Sequence, residues 1–215
     1  MPRDLPIGNG SLLVNFDQTY QIRDIYWPHV GQENHTQGHT FRVGVWVEDQ
    51  FRWLGDPGWE RELRFDQETL LTRVRLRHPG LALTLEFTDA VDFHESLLVR
   101  LSRLTNELQR ERDVRVFFHH DFHILGSEVG DTAYYEPDRR ALLHYKGGRW
   151  FLANGAVPVG SQTGPDVATG DTLPGLAVGV HYWACGYKDL PGREGAPGGT
   201  RRTGNSLATR WLRGR

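Results

Sequence analysis

The amino-acid sequence predicts an all-β fold, a large antiparallel sandwich with an irregular C-terminal tail. Hydrophobic and polar residues alternate along many short segments, which is the pattern of half-buried strands. Turn-forming residues separate these segments, and the 25 glycines and 11 prolines fit many short connections. Because no segment has a convincing helical period, we expect roughly ten or more strands packed face to face.

The strands can be placed in order along the chain. Residues 81–88 and 114–124 alternate most clearly, with leucines and phenylalanines on one side of the first segment. Residues 100–112 fit an interrupted helix or, at least as well, a strand, a turn and a second strand. The candidate strands are 11–16, 20–26, 40–47, 59–65, 69–77, 81–88, 94–104, 114–124, 140–145, 149–153 and 176–182.

Composition and charge change towards the C-terminus. Residues 155–175 are rich in Gly, Pro and Thr and are expected to form a surface loop. The strand pattern stops after Gly192, so we expect a sandwich domain over residues 1–192 and a disordered tail over residues 193–215. The last 20 residues contain five arginines and no acidic residue. The rest of the chain has 20 basic residues against 27 acidic ones, a balance of about −7, which argues against binding of nucleic acid.

Several function classes have no support in the sequence. No apolar run approaches the ~18–20 residues of a membrane span, and the N-terminus lacks a secretory signal, so we expect a cytoplasmic protein without a membrane partner. Cys185 is the single cysteine, which excludes an internal disulfide framework and cysteine-rich zinc sites. Neither a nucleotide-binding glycine loop nor a nucleophile elbow is present, and no cofactor is expected.

One candidate site contains His119, Asp121 and His123, which share one face of an extended strand. Two imidazoles and a carboxylate are ligands that a metal ion uses. Positions four apart on a strand, however, are separated by about 13 Å, too far for two ligands of one zinc ion. We therefore predict no metal site, and expect these side chains to face another strand or a partner domain.

A second candidate site is the glycine-bounded loop over residues 31–39. Its side chains offer many hydrogen-bonding groups to sugar hydroxyls. The alternative is that the same groups cap neighbouring strand ends. The residues proposed to face a carbohydrate or another domain are Gln32, Glu33, Asn34, His35 and His39.

Short motifs are distributed throughout residues 5–195. In the first half they are LPIGNG (5–10), NFD (15–17), IRDIYWP (22–28), VGQENH (30–35), FRVGVW (41–46), DPGW (56–59) and DAVDFH (89–94). In the second half they are FFHHDFH (117–123), VGDTAYY (129–135), HYKG (144–147) and WACGYK (183–188). Together these motifs resemble bacterial members of glycoside hydrolase family 15, the glucoamylase, glucodextranase and trehalase family.

The resemblance implies a galactose-mutarotase-like β-supersandwich that precedes a catalytic (α/α)6 barrel. Members of the family hydrolyse α-glucosidic bonds in glucans or trehalose with inversion, using one carboxylic acid and one carboxylate. Both family glutamates belong to the barrel, so the resemblance assigns no catalytic residue to this chain. The implied partners are the barrel, and through it α-glucans or trehalose. A homodimer through the exposed docking face is a further expected assembly.

The resemblance ends near Gly195, where the family continues with an acidic, tryptophan-containing segment. Here residues 196–202 are followed by the arginine-rich end. We expect that this tail arises from a frameshift or another truncation before the barrel. Restoration of a barrel-encoding sequence by a shift of frame near codon 195 would support that expectation.

Three functions follow from these observations. The favoured one is a non-catalytic module that supports the folding and the active-site entrance of a catalytic barrel. It predicts an exposed apolar or aromatic patch on the chain. The alternatives are a free-standing carbohydrate-binding sandwich with a shallow aromatic platform, and an independent metal-assisted enzyme. We expect the chain alone to be inactive.

Overall fold

The structure, a computed structural model, describes residues 4–139, 141–156, 176–186 and 207–214, with side chains for 4–139 and 141–155. In the described residues, β-strands are joined by turns and by two 3₁₀ turns at Pro79–Leu81 and Ile124–Gly126. The strands are β1 (Leu5–Gly8), β2 (Leu13–Phe16), β3 (Ile22–Tyr26), β4 (Arg42–Val47), β5 (Gln50–Trp53), β6 (Glu60–Phe65), β7 (Thr72–His78), β8 (Leu83–Val91), β9 (Leu97–Asn106), β10 (Val114–His120), β11 (Thr132–Glu136), β12 (Ala141–Lys146), β13 (Arg149–Ala156), β14 (Leu176–Gly186) and β15 (Leu207–Gly214).

The strands form three antiparallel sheets. One has the order β1-β2-β3, the second β15-β10-β4-β5, and the third β11-β12-β13-β14-β9-β8-β7-β6. Neighbours in the large sheet are mostly consecutive in sequence, as expected for antiparallel strands with short connections. The all-β sandwich predicted from the sequence is thereby confirmed.

The three sheets share one hydrophobic core. Strands β1, β2, β4, β7, β8 and β10 contribute the apolar half of an alternating pattern, so that their successive side chains point into the core and away from it. Buried residues of this core include Ile7, Val14, Phe16, Val43, Val45, Leu76, Leu85, Phe87, Val116 and Phe118.

A buried ion pair lies within this core. Asp89 and Arg100 have side chains that are 0% and 2% exposed, and Nε of Arg100 donates to Asp89 at 2.6 Å. The hydroxyls of Tyr20 and Thr72 donate to the other oxygen of Asp89 at 2.6 and 2.7 Å. The guanidinium also lies over the ring of Tyr20, 4.8 Å from its centroid. Both charges therefore have partners in place of water.

The outer faces of the two larger sheets differ in chemistry. The described part of the large sheet exposes charged side chains between its buried positions: Arg73, Arg75, Glu86 and Arg103. The outer face of the β4-β5-β10 sheet carries, beside Arg42 and Arg115, four aromatic side chains, which we call the aromatic face: Trp46, Phe51, Trp53 and Phe117. Gly44 lies among them, and a methyl group there would approach Cζ of Phe51 to 2.5 Å.

Several element boundaries differ from the sequence-based expectations. Residues 97–106 form a strand, so the helical alternative for 100–112 is wrong. The strand expected to reach residue 124 ends at His120, because residues 121–123 leave the sheet and Leu125 and Gly126 adopt positive φ angles. Strands β1, β5 and β11 were not foreseen, since each is short or flanked by turn residues.

The segment expected to form a disordered tail is described only in part. Residues 193–206 and 215 lie outside the described residues, as do 157–175 of the expected surface loop. The backbone of Leu207–Gly214 forms β15, which pairs antiparallel with β10. In this stretch Leu207, Thr209 and Trp211 alternate with other residues, which favours a strand. The high Gly and Arg content of the whole tail led to the expectation of disorder instead. Within the described part of the chain, no helix has the length and apolar character that a membrane span needs.

Candidate functional site

The buried side chain of His35 anchors the loop over residues 31–39. Leu125 donates its backbone N–H to Nδ1 of His35 at 3.2 Å, so Nε2 carries the proton and donates to the carbonyl of Trp27 at 2.6 Å. The ring also packs against Phe151, with centroids 4.8 Å apart. Burial lowers the pKa of His35, which favours the neutral form that these bonds use. His35 therefore holds the loop in position.

Glu33 makes a second connection between this loop and the large sheet. Its carboxylate accepts two hydrogen bonds from the guanidinium of Arg149, at 2.8 and 2.9 Å. The hydrogen bond from Arg149 lowers the pKa of Glu33, so the carboxyl stays ionised and is poorly suited to donate a proton. Arg149 also lies over the ring of Trp27, whose Nε1 donates to Ser96 at 2.9 Å. Arg149 thus connects the loop to the large sheet.

Asn34 makes hydrogen bonds both to β3 and within its own loop. Its Nδ2 donates to Asp24 at 2.8 Å, and its Oδ1 accepts from the backbone N–H and the hydroxyl of Thr36. Gln32 is exposed, and the side chain of His39 is 50% exposed. Of the five loop residues proposed to face a carbohydrate, Glu33, Asn34 and His35 thus cap and connect strands, while Gln32 and His39 face solvent.

His39, Asp121 and His123 form a compact cluster at the end of β10. One oxygen of Asp121 lies 3.5 Å from Nδ1 of His39, and the other lies 3.5 Å from Nε2 of His123. The two imidazole rings stack, with centroids 3.6 Å apart and planes 14° apart. One nitrogen or oxygen from each residue lies within 4.8 Å of those from the other two. Such a set of donors can bind a metal ion.

His119 is separate from this cluster. Its ring makes an edge contact with Trp53, at 6.0 Å between centroids, and therefore borders the aromatic face. Phe51 makes edge contacts with Trp53 and Phe117 at 4.8 and 5.6 Å and is 36% exposed. Arg42 lies over Trp53 at 5.8 Å. This end of the sheet is thus an aromatic surface bordered by cationic and imidazole groups.

Two histidines lie in the core beneath the cluster. His120 and His144 are buried, and their rings meet edge to face with centroids 5.5 Å apart. Burial lowers the pKa of His144 to about 4 and holds the pKa of His120 well below its ordinary value. Both are therefore neutral at physiological pH.

The strand-face grouping of His119, Asp121 and His123 is only partly reproduced. Asp121 and His123 lie together, but their third member is His39 from the polar loop. The prediction that strand spacing separates the ligands assumed an extended chain through residue 123. The 13 Å separation concerned His119 and His123, and His119 is indeed not part of the cluster, whereas Asp121 and His123 lie beyond the end of the strand at His120. No sequence signal announced the approach of His39, which lies more than 80 positions earlier.

No family model matches the chain. Over 141 residues, 66% of its length, the chain is 23% identical to an uncharacterized glycosyl hydrolase of Methanocaldococcus jannaschii. A crystal structure of a bacterial glucoamylase complexed with acarbose superposes on 81% of the chain with a TM-score of 0.59 and 8% sequence identity.

These likenesses concern part of each larger protein. The chain covers 22% of the Methanocaldococcus protein and 28% of the glucoamylase chain. At 8% identity, the superposition shows a shared fold. The sandwich of this chain therefore has a counterpart within a bacterial glucoamylase.

Proposed function

We propose that this chain is the non-catalytic N-terminal β-sandwich module of a glucoamylase-like glycoside hydrolase of family 15. In this role it supports the folding and the active-site entrance of a catalytic (α/α)6 barrel. The observation that carries the proposal is the superposition of 81% of the chain on 28% of a bacterial glucoamylase. The match to a protein named as a glycosyl hydrolase points in the same direction.

The aromatic face supports a docking role. A sheet face that remains in water is normally polar, as the charged outer face of the large sheet is. The four aromatic side chains of the aromatic face are better explained by a partner that covers them. We propose the catalytic barrel as this partner. When the barrel is missing, the same face allows two copies of the chain to associate.

The carboxylates in and near the polar loop have contacts that fit a structural role better than a catalytic one. Inverting glycosidases need one protonated and one ionised carboxyl, about 6.5–9.5 Å apart with room for a water molecule. Glu33 is paired with Arg149, and each oxygen of Asp121 lies beside one imidazole. We therefore assign no catalytic role to either residue and expect the barrel to supply the acid and the base.

Activity of the purified chain tests this proposal. Incubated with maltose, maltooligosaccharides or trehalose, the chain is expected to release no glucose above the rate of a heat-inactivated sample. Release of glucose that depends on chain concentration, and that Glu33→Gln or Asp121→Asn abolishes, would contradict the proposal. Such a result would place the reaction in the sandwich itself.

A second function, free-standing carbohydrate binding, is favoured by one observation. The partly exposed ring of Phe51 lies beside Trp53, and Arg42 and His119 at the edge offer hydrogen-bond donors to sugar hydroxyls. Calorimetric titration with maltoheptaose distinguishes the two functions. Binding that is lost in Phe51→Ala would favour the second function, whereas absence of binding favours the docking module.

A further inference from the structure

We propose that His39, Asp121 and His123 form a binding site for one divalent transition-metal ion, with Zn²⁺ as the best-suited ion. This inference does not depend on the proposed function, because it rests on three side chains and their local support. The site lies where the end of the polar loop meets the segment that follows β10.

The distances are close to those of a metal site. Zinc bonds of about 2.0–2.2 Å in tetrahedral geometry place neighbouring ligand atoms about 3.3 Å apart. Each imidazole nitrogen lies 3.5 Å from its own oxygen of Asp121, and all three donors lie within 4.8 Å of one another. Because the two imidazole rings stack face to face, the half-exposed His39 ring has to rotate out of the stack before its nitrogen can share one ion with His123.

Backbone hydrogen bonds hold the two ligand-bearing segments together before any ion binds. His39 donates its N–H to the carbonyl of Thr36 at 2.8 Å, and His123 donates its N–H to the carbonyl of His35 at 2.8 Å. The carbonyl of His123 accepts from Gly126 at 2.9 Å. His35 itself is fully buried, so both ligand segments are attached to the same anchor. Binding therefore requires little ordering of the chain.

The donor set selects the class of metal. Imidazole nitrogens suit zinc, copper, iron and nickel, whereas calcium and magnesium prefer oxygen ligands alone. Two histidines and one carboxylate are the ligand set of several zinc enzymes, in which a fourth position holds water. Since the side chain of His39 is 50% exposed and that of His123 is 11% exposed, an ion can reach the cluster from the solvent on the side of His39.

A bound ion would connect two distant parts of the sequence. It would join the 31–39 loop directly to the chain leaving β10, in addition to the hydrogen bonds of His35. Ion binding to the folded state alone stabilises that state by mass action. The melting temperature is therefore expected to rise with Zn²⁺, and the backbone amides of the loop are expected to exchange more slowly.

Metal titration of the untagged, chelator-treated protein tests the site. We expect one Zn²⁺ per chain by calorimetry, and visible absorption from one bound Co²⁺ used in place of zinc. His39→Ala is expected to weaken Zn²⁺ binding by at least about ten-fold and to remove the rise in melting temperature. Because His39 is half exposed, its variant should fold normally, which circular dichroism and melting in chelator can verify.

A matched control separates this site from general histidine binding. His94 is exposed in the β8–β9 turn, so His94→Ala should bind Zn²⁺ as the wild type does. A second ligand variant, His123→Gln, should behave as His39→Ala does. The proposal is overturned if the wild type binds no stoichiometric Zn²⁺, or if His39→Ala and His123→Gln bind it as tightly as the wild type.

Discussion

The two buried histidines make the stability of this sandwich depend on pH. In the unfolded chain a histidine has a pKa of about 6.5, whereas burial lowers the pKa of folded His144 to about 4. The unfolded state thus binds the proton first as the pH falls. The stability that neutral His144 contributes is complete above about pH 6.5 and is lost towards pH 4, by about 3 kcal/mol for this residue.

Urea denaturation across this pH range measures the effect. His144→Phe keeps a ring in the space beside Phe122 but cannot be protonated, so its stability should fall less steeply between pH 7 and pH 4. The exposed His29 provides the control, since His29→Gln should retain the slope of the wild type. Equal slopes in the His144 variant and the wild type would show that this histidine does not govern the acid response.

The Asp89–Arg100 pair provides a second residue-scale prediction. Asp89→Ala leaves the guanidinium of Arg100 in the core without its carboxylate, and should lower the free energy of unfolding by about 3–5 kcal/mol. Asp66→Ala removes a carboxylate from the exposed pair with Arg73 and should cost no more than about 1 kcal/mol. Denaturant titration compares the two variants. Similar losses in both would contradict the structural role given to the buried pair.

At the residue scale, the sequence revealed the polar character of the loop but not the role of each side chain. Glu33 binds Arg149, which lies 116 positions later, and His35 accepts from Leu125, which lies 90 positions later. Such partners meet only when the sheets are assembled. The alternative that the loop groups cap strand ends describes three of the five residues. His39 instead lies beside Asp121 and His123.

At the scale of the element, Gly44 permits the packing of β4 against β5. A methyl group there would lie 2.5 Å from the ring of Phe51 and 3.0 Å from Trp53. Gly44→Ala should therefore cost about 1–3 kcal/mol, and Phe51→Ala in the same chain should recover part of the loss. Gly148→Ala is the matched control, because nothing lies within 4 Å of its added carbon. Equal stability of the two alanine variants would argue against close contact on the aromatic face.

Alternation located the central strands well, because one face of each must be apolar to reach the shared core. The alternating pattern misplaced the end of β10, because the pattern continues beyond the last hydrogen-bonded residue of that strand. Residues 121–124 keep the alternating pattern of β10, with Phe122 and Ile124 buried, although the hydrogen-bonded strand ends at His120. Burial can thus persist through a loop, and the pattern alone does not mark the point where pairing stops. This difference places Asp121 and His123 in the segment after β10, where they meet His39.

At the scale of the whole molecule, the outer face of the large sheet and the aromatic face differ in the role proposed for them. Leu101 is a 48% exposed apolar residue on the charged outer face of the large sheet, and Phe51 is a 36% exposed one on the aromatic face. An aspartate at either position should leave the isolated chain folded. If the aromatic face docks a barrel, Phe51→Asp should weaken that association by at least about ten-fold, whereas Leu101→Asp should not change it.

The proposed docking role is tested most directly by sedimentation velocity of the chain mixed with a candidate partner. The partner is the part of the Methanocaldococcus glycosyl hydrolase outside the region that this chain matches, produced separately. A one-to-one complex is expected with the wild type and with Leu101→Asp, and a much weaker one with Phe51→Asp. Separate sedimentation of the wild-type chain and the partner, or a complex that Phe51→Asp leaves intact, would contradict the docking role of the aromatic face.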